Sequence, residues 1–225
     1  GSVGLAMIVL TVEMGLAVFL PVMIYLSVLP NYDKHVTSCE SLKTREDKNN
    51  VLISLGSPKG TNEVILVTDP LCPTCKALHR RIEASSFASG LSYKMQLLPL
   101  DAECNWMLKD SLHPGACLLS RGLLCAGARA EEMLNFIYDQ QDTFRNDGLR
   151  KEVDRISEKL LAQFPEVREC MASPDTQIRL NKALHFAVAN SLPLSTPQMY
   201  LNGKRLCDED TDLGLEYALT KLLGK

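Results

Sequence analysis

From Val3 to Pro30 the chain carries one charged side chain, Glu13, and all 24 lysines and arginines come later. As a single helix, this 28-residue run would extend about 42 Å, more than the ~30 Å hydrocarbon core of a bilayer. It reads as a transmembrane helix that tilts or kinks, with Pro21 as the place for a kink. A cleaved signal peptide is the competing reading, but a basic start, a shorter apolar stretch and a small-residue cleavage site are not evident. Glu13 is costly in lipid and marks either a helix packed on other helices or a polar pathway. Alternatively the span runs from Met14 to Leu29 and leaves Glu13 at the interface, and both readings stay open. Gly1-Ser2 reads as an added scar or a fragment edge, so basic residues that set topology would lie upstream of it.

The remainder is a different object. The whole chain has 225 residues, 46% hydrophobic and 23% charged, which excludes a largely disordered protein. A net charge of −3 gives no electrostatic reason to expect nucleic acid. Eight cysteines point to an oxidising compartment or to metal, and their spacing must decide.

Residues 31–50 are polar and mixed in charge and read as a tether, with Cys39 inside it. Val51–Leu55 is a strand candidate, followed by Gly-Ser-Pro-Lys-Gly turn chemistry. Val64–Thr68 is a buried strand, ended by Asp69 and Pro70. A helix is expected from Pro73 to about Ala84 and a strand over Tyr93–Leu98, which makes a βαβ unit. The pattern is then helical from Asn105 to Asn190. Pro114 suits the first turn of a helix to about Ala126, Glu131–Gln141 and Gly148–Phe164 follow, and Ser173-Pro174 starts a fourth helix. Met199–Leu201, the Asn202-Gly203 turn and Arg205–Leu206 form a hairpin, and a last helix covers Leu213 to Leu223.

Cys72-Pro73-Thr74-Cys75 stands where the buried strand passes into the helix. Alone, a Cys-x-x-Cys pair is a weak signal; at this junction it is a strong one. Unpaired N–H groups and the helix dipole stabilise a thiolate at Cys72 and make it the nucleophile. Cys75, one turn deeper, can attack a mixed disulfide or close the ring. Pro73 preorganises the turn. Far along the chain, Thr196-Pro197 precedes a strand and is a candidate cis-proline, where the Thr196 backbone could pair with an extended substrate.

The stretch Leu55-Gly-Ser-Pro, Val64 to Asp69, Cys72 to Cys75 and Thr196 to Gly203 resembles the DsbA-like branch of the thioredoxin superfamily. The resemblance spans about residues 51–225. It implies an α/β thioredoxin fold with a helical insertion: a first half over 51–104, the insertion over 105–190 and a second half over 191–225. The apolar run adds a transmembrane helix over 1–30 in front of it. The resemblance also implies that Cys72 is the substrate-linked cysteine, Cys75 its partner and Pro197 the cis-proline, with Asp69 at a commonly acidic position. Strongly oxidising members carry Pro-His between the cysteines; Pro-Thr here implies a less extreme potential.

The other cysteines are candidates for structural bridges. Cys117 and Cys125 on one helix would be about 12 Å apart, beyond disulfide reach. Cys104 can pair with either, Cys117 being preferred. Cys170 and Cys207 could pair together or remain buried thiols. A second redox-active pair is a weaker reading, and zinc weaker still, because only one close pair is present. His79 lies about two turns beyond Cys72 and reads as a surface residue. His113 reads as a partly exposed helix-entry residue, against an active-site role in modulating thiolate charge. Trp106 and Met107 read as packing in the insertion, His185 as a core or boundary residue, and the Arg150–Lys159 charge run as a solvated face.

These readings converge on a membrane-tethered thiol–disulfide oxidoreductase with its catalytic domain on the extracytoplasmic, periplasmic side and thiol-containing proteins as substrates. No cofactor is expected in this domain. Asp101 to Trp106 and Leu112 to Cys117 also resemble thioredoxin-like domains fused behind vitamin K epoxide reductase-like membrane domains, which implies a membrane redox partner that would hold any quinone. An isomerase or reductase using the same residues is the rival enzyme. A disulfide-stapled binding module is the non-enzymatic alternative.

Overall fold

The computed structural model describes residues 2–28, 39–56, 60–87, 90–207 and 214–224. The expected tether over 31–38, the turn residues 57–59 and the helix start at Leu213 lie outside them. Two units are compact in themselves, 1–35 and 36–225. The first is the helix α1, Ser2–Val28, with Pro21 inside it. Its Leu10–Val28 segment has a mean hydropathy of 1.8 and nothing buried, so it is long and apolar enough to cross a membrane.

The second unit is built on a mixed five-stranded sheet. The strands are β1 (Ile53–Leu55), β2 (Asn62–Thr68), β3 (Leu91–Leu97), β4 (Gln198–Leu201) and β5 (Lys204–Arg205), in spatial order β1-β3-β2-β4-β5. The central β2 runs parallel to β3, with Leu66 opposite Met95, and antiparallel to β4, with Leu66 opposite Met199. Alternation along β2 feeds two cores. Val64 and Leu66 join the larger one, with Met199 and Leu201; Ile65 and Val67 join the smaller, with Tyr200. A strand buried on both faces reads as the near-continuous apolar run that the sequence has here. Gln96 interrupts the apolar pattern of β3, and its amide donates to the Ala183 carbonyl at 2.7 Å.

Helix α2 (Pro73–Ala84) follows β2. The insertion contributes α3 (Ala116–Cys125), α4 (Ala130–Asp139), α5 (Gln141–Leu149), α6 (Val153–Gln163), the short α7 (Arg168–Ala172) and α8 (Pro174–Ala189), and α9 (Leu215–Leu223) comes last. Ser173 caps α8 by accepting from Asp175 N. Asn202 and Gly203 both take positive φ, 51° and 85°, as a tight hairpin turn requires.

Several expectations need correction. Pro114 is not in the first turn of α3. Gly115, at φ 94°, is the residue before that helix, and the distant Asp101 carboxylate takes up Gly115 N–H and Cys117 N–H at 2.9 and 3.2 Å. The helix expected over Gly148–Phe164 is two helices, broken where Lys151 adopts φ 62°. Residues 39–50 do not hang free. Leu42 N–H donates to Gly203 O, Arg205 N–H donates to Glu40 O, and Cys39 is bonded to Cys207. The short edge strand β5 is thereby covered by the chain's own backbone, which removes an exposed pairing edge.

Cys207 therefore does not pair with Cys170. The bridges are Cys39–Cys207, Cys104–Cys117 and Cys125–Cys170. Cys117 is the partner preferred for Cys104. The bridge from Cys125 to Cys170 ties the end of α3 to α7 across 45 residues. Chain-entropy arguments give a loop of that length about 4 kcal/mol. Replacing both residues by Ala should lower the urea-unfolding free energy of the full chain in detergent by about 2–4 kcal/mol, read by circular dichroism, with the folded spectrum retained.

Candidate active site

Cys72 is the residue before α2, with extended backbone at φ −77° and ψ 119°, and Pro73 fills the first helical position. The missing proline N–H is one that the helix would leave unpaired in any case. Cys72 Sγ thus sits at the positive end of the helix dipole, and Cys75 lies on the first turn. Both are free thiols and both are buried, while Pro73 and Thr74 are exposed. The loop is pinned from the insertion: Gln141, itself 1% exposed, donates from Nε2 to the carbonyls of Cys72 and Pro70 at 3.1 and 3.2 Å.

Thr196-Pro197 is a cis peptide bond, and its loop meets the cysteines. Cys72 Sγ lies 2.9 Å from Thr74 Oγ1 and 3.5 Å from the Thr196 carbonyl, which is 3.4 Å from Thr74 Oγ1. The Thr74 hydroxyl has one proton and two acceptors. Once Cys72 is a thiolate it is the nearer and the charged acceptor, so the hydroxyl turns to it.

Asp69 is fully buried. One carboxylate oxygen accepts Leu71 N–H at 2.6 Å; the other accepts Leu100 N–H at 2.6 Å and faces His113 Nδ1 at 3.0 Å. His113 was expected to be partly exposed; it is buried, because its ring closes on Asp69. Burial works against its imidazolium, but the bond to Asp69 and the charges of Asp69 and Cys72 outweigh it and raise its pKa. By reciprocity the imidazolium, a cation that the Pro-Thr dipeptide between the cysteines does not supply, favours the Cys72 thiolate.

The two sulfurs are driven apart in acidity. The Cys75 thiol donating to Cys72 is the largest influence on Cys72; with the Thr196 and Thr74 side chains and the Cys75 N–H it outweighs burial and lowers the Cys72 pKa to about 5. Burial, then the bond to Cys72 and its charge, push Cys75 well above its ordinary value. Behind Cys75 an apolar cavity is lined in part by Thr68, His79, Tyr138 and Pro197. His79 is therefore not a surface residue. It is 7% exposed, bonds Asn135 Oδ1 from Nε2 at 2.9 Å and lies 5.3 Å from the Tyr138 ring. Tyr138 Oη in turn pairs with Thr68 Oγ1 at 3.1 Å.

The remaining candidates lie apart from this cluster. Cys104, Cys117, Cys125, Cys170 and Cys207 are all in bridges. Trp106, expected to pack in the insertion, is 54% exposed, its ring 5.4 Å from that of His185 and tilted by 42°; His185 is exposed rather than a core or boundary residue. Among the described residues no three His, Cys, Asp or Glu side chains converge as a metal site. Gln141, Tyr138 and His79 were missed because each reaches the site from a helix whose register the sequence pattern does not give.

No protein-family model matches the sequence, and no curated protein matches it either. Solved structures do. A protein-disulfide isomerase from Novosphingobium aromaticivorans aligns over 77% of this chain and 98% of its own, at 11% identity and a TM-score of 0.57. A conserved protein of unknown function from Enterococcus faecalis aligns over 78% and 99%, at 14% identity and 0.54. A variant of alpha-DsbA1 from Wolbachia pipientis aligns over 77% and 98%, at 14% identity and 0.52. The fold is the DsbA-like thioredoxin fold. In that frame the Cys72–Cys75 pair lies at the strand-to-helix junction and the cis-proline loop lies against it, as the sequence resemblance implied.

In the reduced protein the Cys72 thiolate absorbance at 240 nm should titrate near pH 5. Thr74→Val and His113→Asn should each move that midpoint upward, by about half a unit to one unit for a lost hydrogen bond or screened charge. The linked stability has a fixed sign. The folded pKa lies below the unfolded value near 9, so the contribution is complete above pH 9 and disappears as pH falls through 5. Against a Cys72→Ala control, urea unfolding of the reduced protein should show stability rising over that interval.

Proposed function

We propose that this chain is a membrane-tethered thiol–disulfide oxidoreductase that introduces disulfides into thiol-containing proteins through Cys72 and Cys75. The observation that carries this is the split between the two sulfurs: one held as thiolate at the helix end, the other buried and protonated beside it. In the oxidised enzyme a substrate thiolate attacks Cys72 Sγ. The Cys72–Cys75 bond breaks, a mixed disulfide forms, and Cys75 leaves as a thiolate that takes up a proton. A second substrate thiolate then attacks the substrate sulfur of the mixed disulfide, and Cys72 departs as a stable thiolate. The substrate loses two electrons and the Cys72–Cys75 pair gains them.

A leaving group that is already ionised near neutral pH stabilises the reduced enzyme and so favours substrate oxidation over reduction. Thr74 gives that thiolate a hydroxyl instead of a cation, which supports a potential less extreme than that of Pro-His enzymes. Thr196, beside cis-Pro197, offers backbone for an extended substrate to pair with. The apolar α1 supports a membrane anchor with the catalytic unit on the extracytoplasmic side, where disulfides persist. A membrane partner resembling vitamin K epoxide reductase, holding the quinone, would re-oxidise Cys72 and Cys75.

Cys72→Ala should abolish oxidation of a reduced, unfolded test protein by the full chain. Cys75→Ala should leave Cys72 able to attack a cystine peptide, releasing one thiol and trapping the other half as a mixed disulfide visible by mass spectrometry. Oxidase activity retained without Cys72 would sink the reading.

A further inference from the structure

Beside the Cys72 loop lies a shallow groove of about 210 Å³, lined by Leu71, Leu112, His113, Pro114, Arg145 and Leu149. Leu71 precedes Cys72 and is fully buried, forming floor, whereas Leu112 and Leu149 stand 66% and 67% exposed. Arg145 and Leu149 are four apart on α5 and share one face of it. The width is fixed by backbone contact: a Cβ at Gly148 would lie 2.0 Å from the Pro114 carbonyl oxygen. His113 cannot swing into the groove, because its Nδ1 is held by Asp69.

Arg145 is partly buried, and among the described residues it has no ion-pair partner. Five other arginines of the body are ion-paired: Arg45 with Glu63, Arg80 with Glu83 and Asp139, Arg121 with Glu103, Arg129 with Glu132, and Arg155 with Glu152. An unpaired, half-desolvated guanidinium that shares with two exposed leucines a groove floored by the residue before Cys72 is complementary to an aliphatic side chain followed by a carboxylate.

We propose that this groove receives the substrate segment flanking the cysteine that attacks Cys72, with an aliphatic side chain between Leu112 and Leu149 and an Asp or Glu carboxylate against Arg145. The assignment rests on the reading of Cys72 as the substrate-linked sulfur. An extended chain advances about 3.3 Å per residue, so the preferred residues lie within a few positions of the substrate cysteine. The enzyme is then selective for acidic, aliphatic cysteine contexts.

The test uses the pre-oxidised full chain in detergent under single-turnover conditions. It is mixed with dithiol peptides that share one cysteine pair and carry Leu-Asp, Leu-Asn, Leu-Lys or Gly-Asp beside the first cysteine. The concentration dependence of the rate gives the apparent affinity. Affinity should fall about three- to fivefold from Asp to Asn, further for Lys, and about tenfold when Leu becomes Gly. Arg145→Glu should reverse the order of the Asp and Lys peptides. Equal affinity for the three charge variants, or an Asp preference that survives Arg145→Glu, overturns the groove assignment and leaves the oxidase reading standing. Concentration-dependent dimers lost in Leu112→Ser/Leu149→Ser would give the groove to a second copy and overturn it also. No oxidation of any peptide overturns both readings.

Discussion

A single buried carboxylate holds the reactive corner together. Asp69 lies at the end of β2, and its two oxygens gather Leu71 N–H from the cysteine loop, Leu100 N–H from just beyond β3, and the imidazole of His113 from the insertion. A fully buried carboxylate is tolerable only when such partners satisfy it. Each partner belongs to a different part of the body, so meeting the demand of one side chain brings all of them together. Asp101 repeats the device one layer out. It gathers Gly115 N–H, Cys117 N–H and the Ser111 hydroxyl, and so sets the start of α3 beside the Cys104–Cys117 bridge.

That arrangement explains how a neutral dipeptide supports an acidic thiol. Cys72 carries no cation in its own turn, yet it has the helix end, the Cys75 thiol, the Thr74 hydroxyl and the Asp69-bound His113 around it. Burial acts on the two cysteines with the same sign, raising the pKa of each. What separates them is which sulfur receives donors and which gives one. The thiolate forms at the helix end, and the proton stays on the sulfur one turn deeper.

The strand–helix junction was legible because it is local. Alternation along Val64–Thr68, Pro73 after Cys72 and the Asn202-Gly203 turn each state their geometry within a few residues. So does Pro197, whose companion strand follows at once. The failures were tertiary. His113 and His79 looked like surface groups, because nothing near them in sequence shows that Asp69 and Asn135 would come to bond them. The break at Lys151 hides in an unbroken charged run, where helical spacing continues although the backbone turns. Cys39 looked like part of a free tether because its partner is 168 residues away, and sequence ranks no pairing at that distance.

The same long bridge alters what a tether means here. With Cys39 fixed to Cys207 and Leu42 bonded to the hairpin, the body is already closed at residue 39, and the sheet edge next to β4 is sealed by its own chain. Edge strands invite pairing with other extended chains. On the proposed function, where substrates are extended chains, a covered edge removes one place for unwanted pairing. Sealing β5 removes the pairing place on the β4 side of the sheet, while the Thr196 backbone stays beside Cys72.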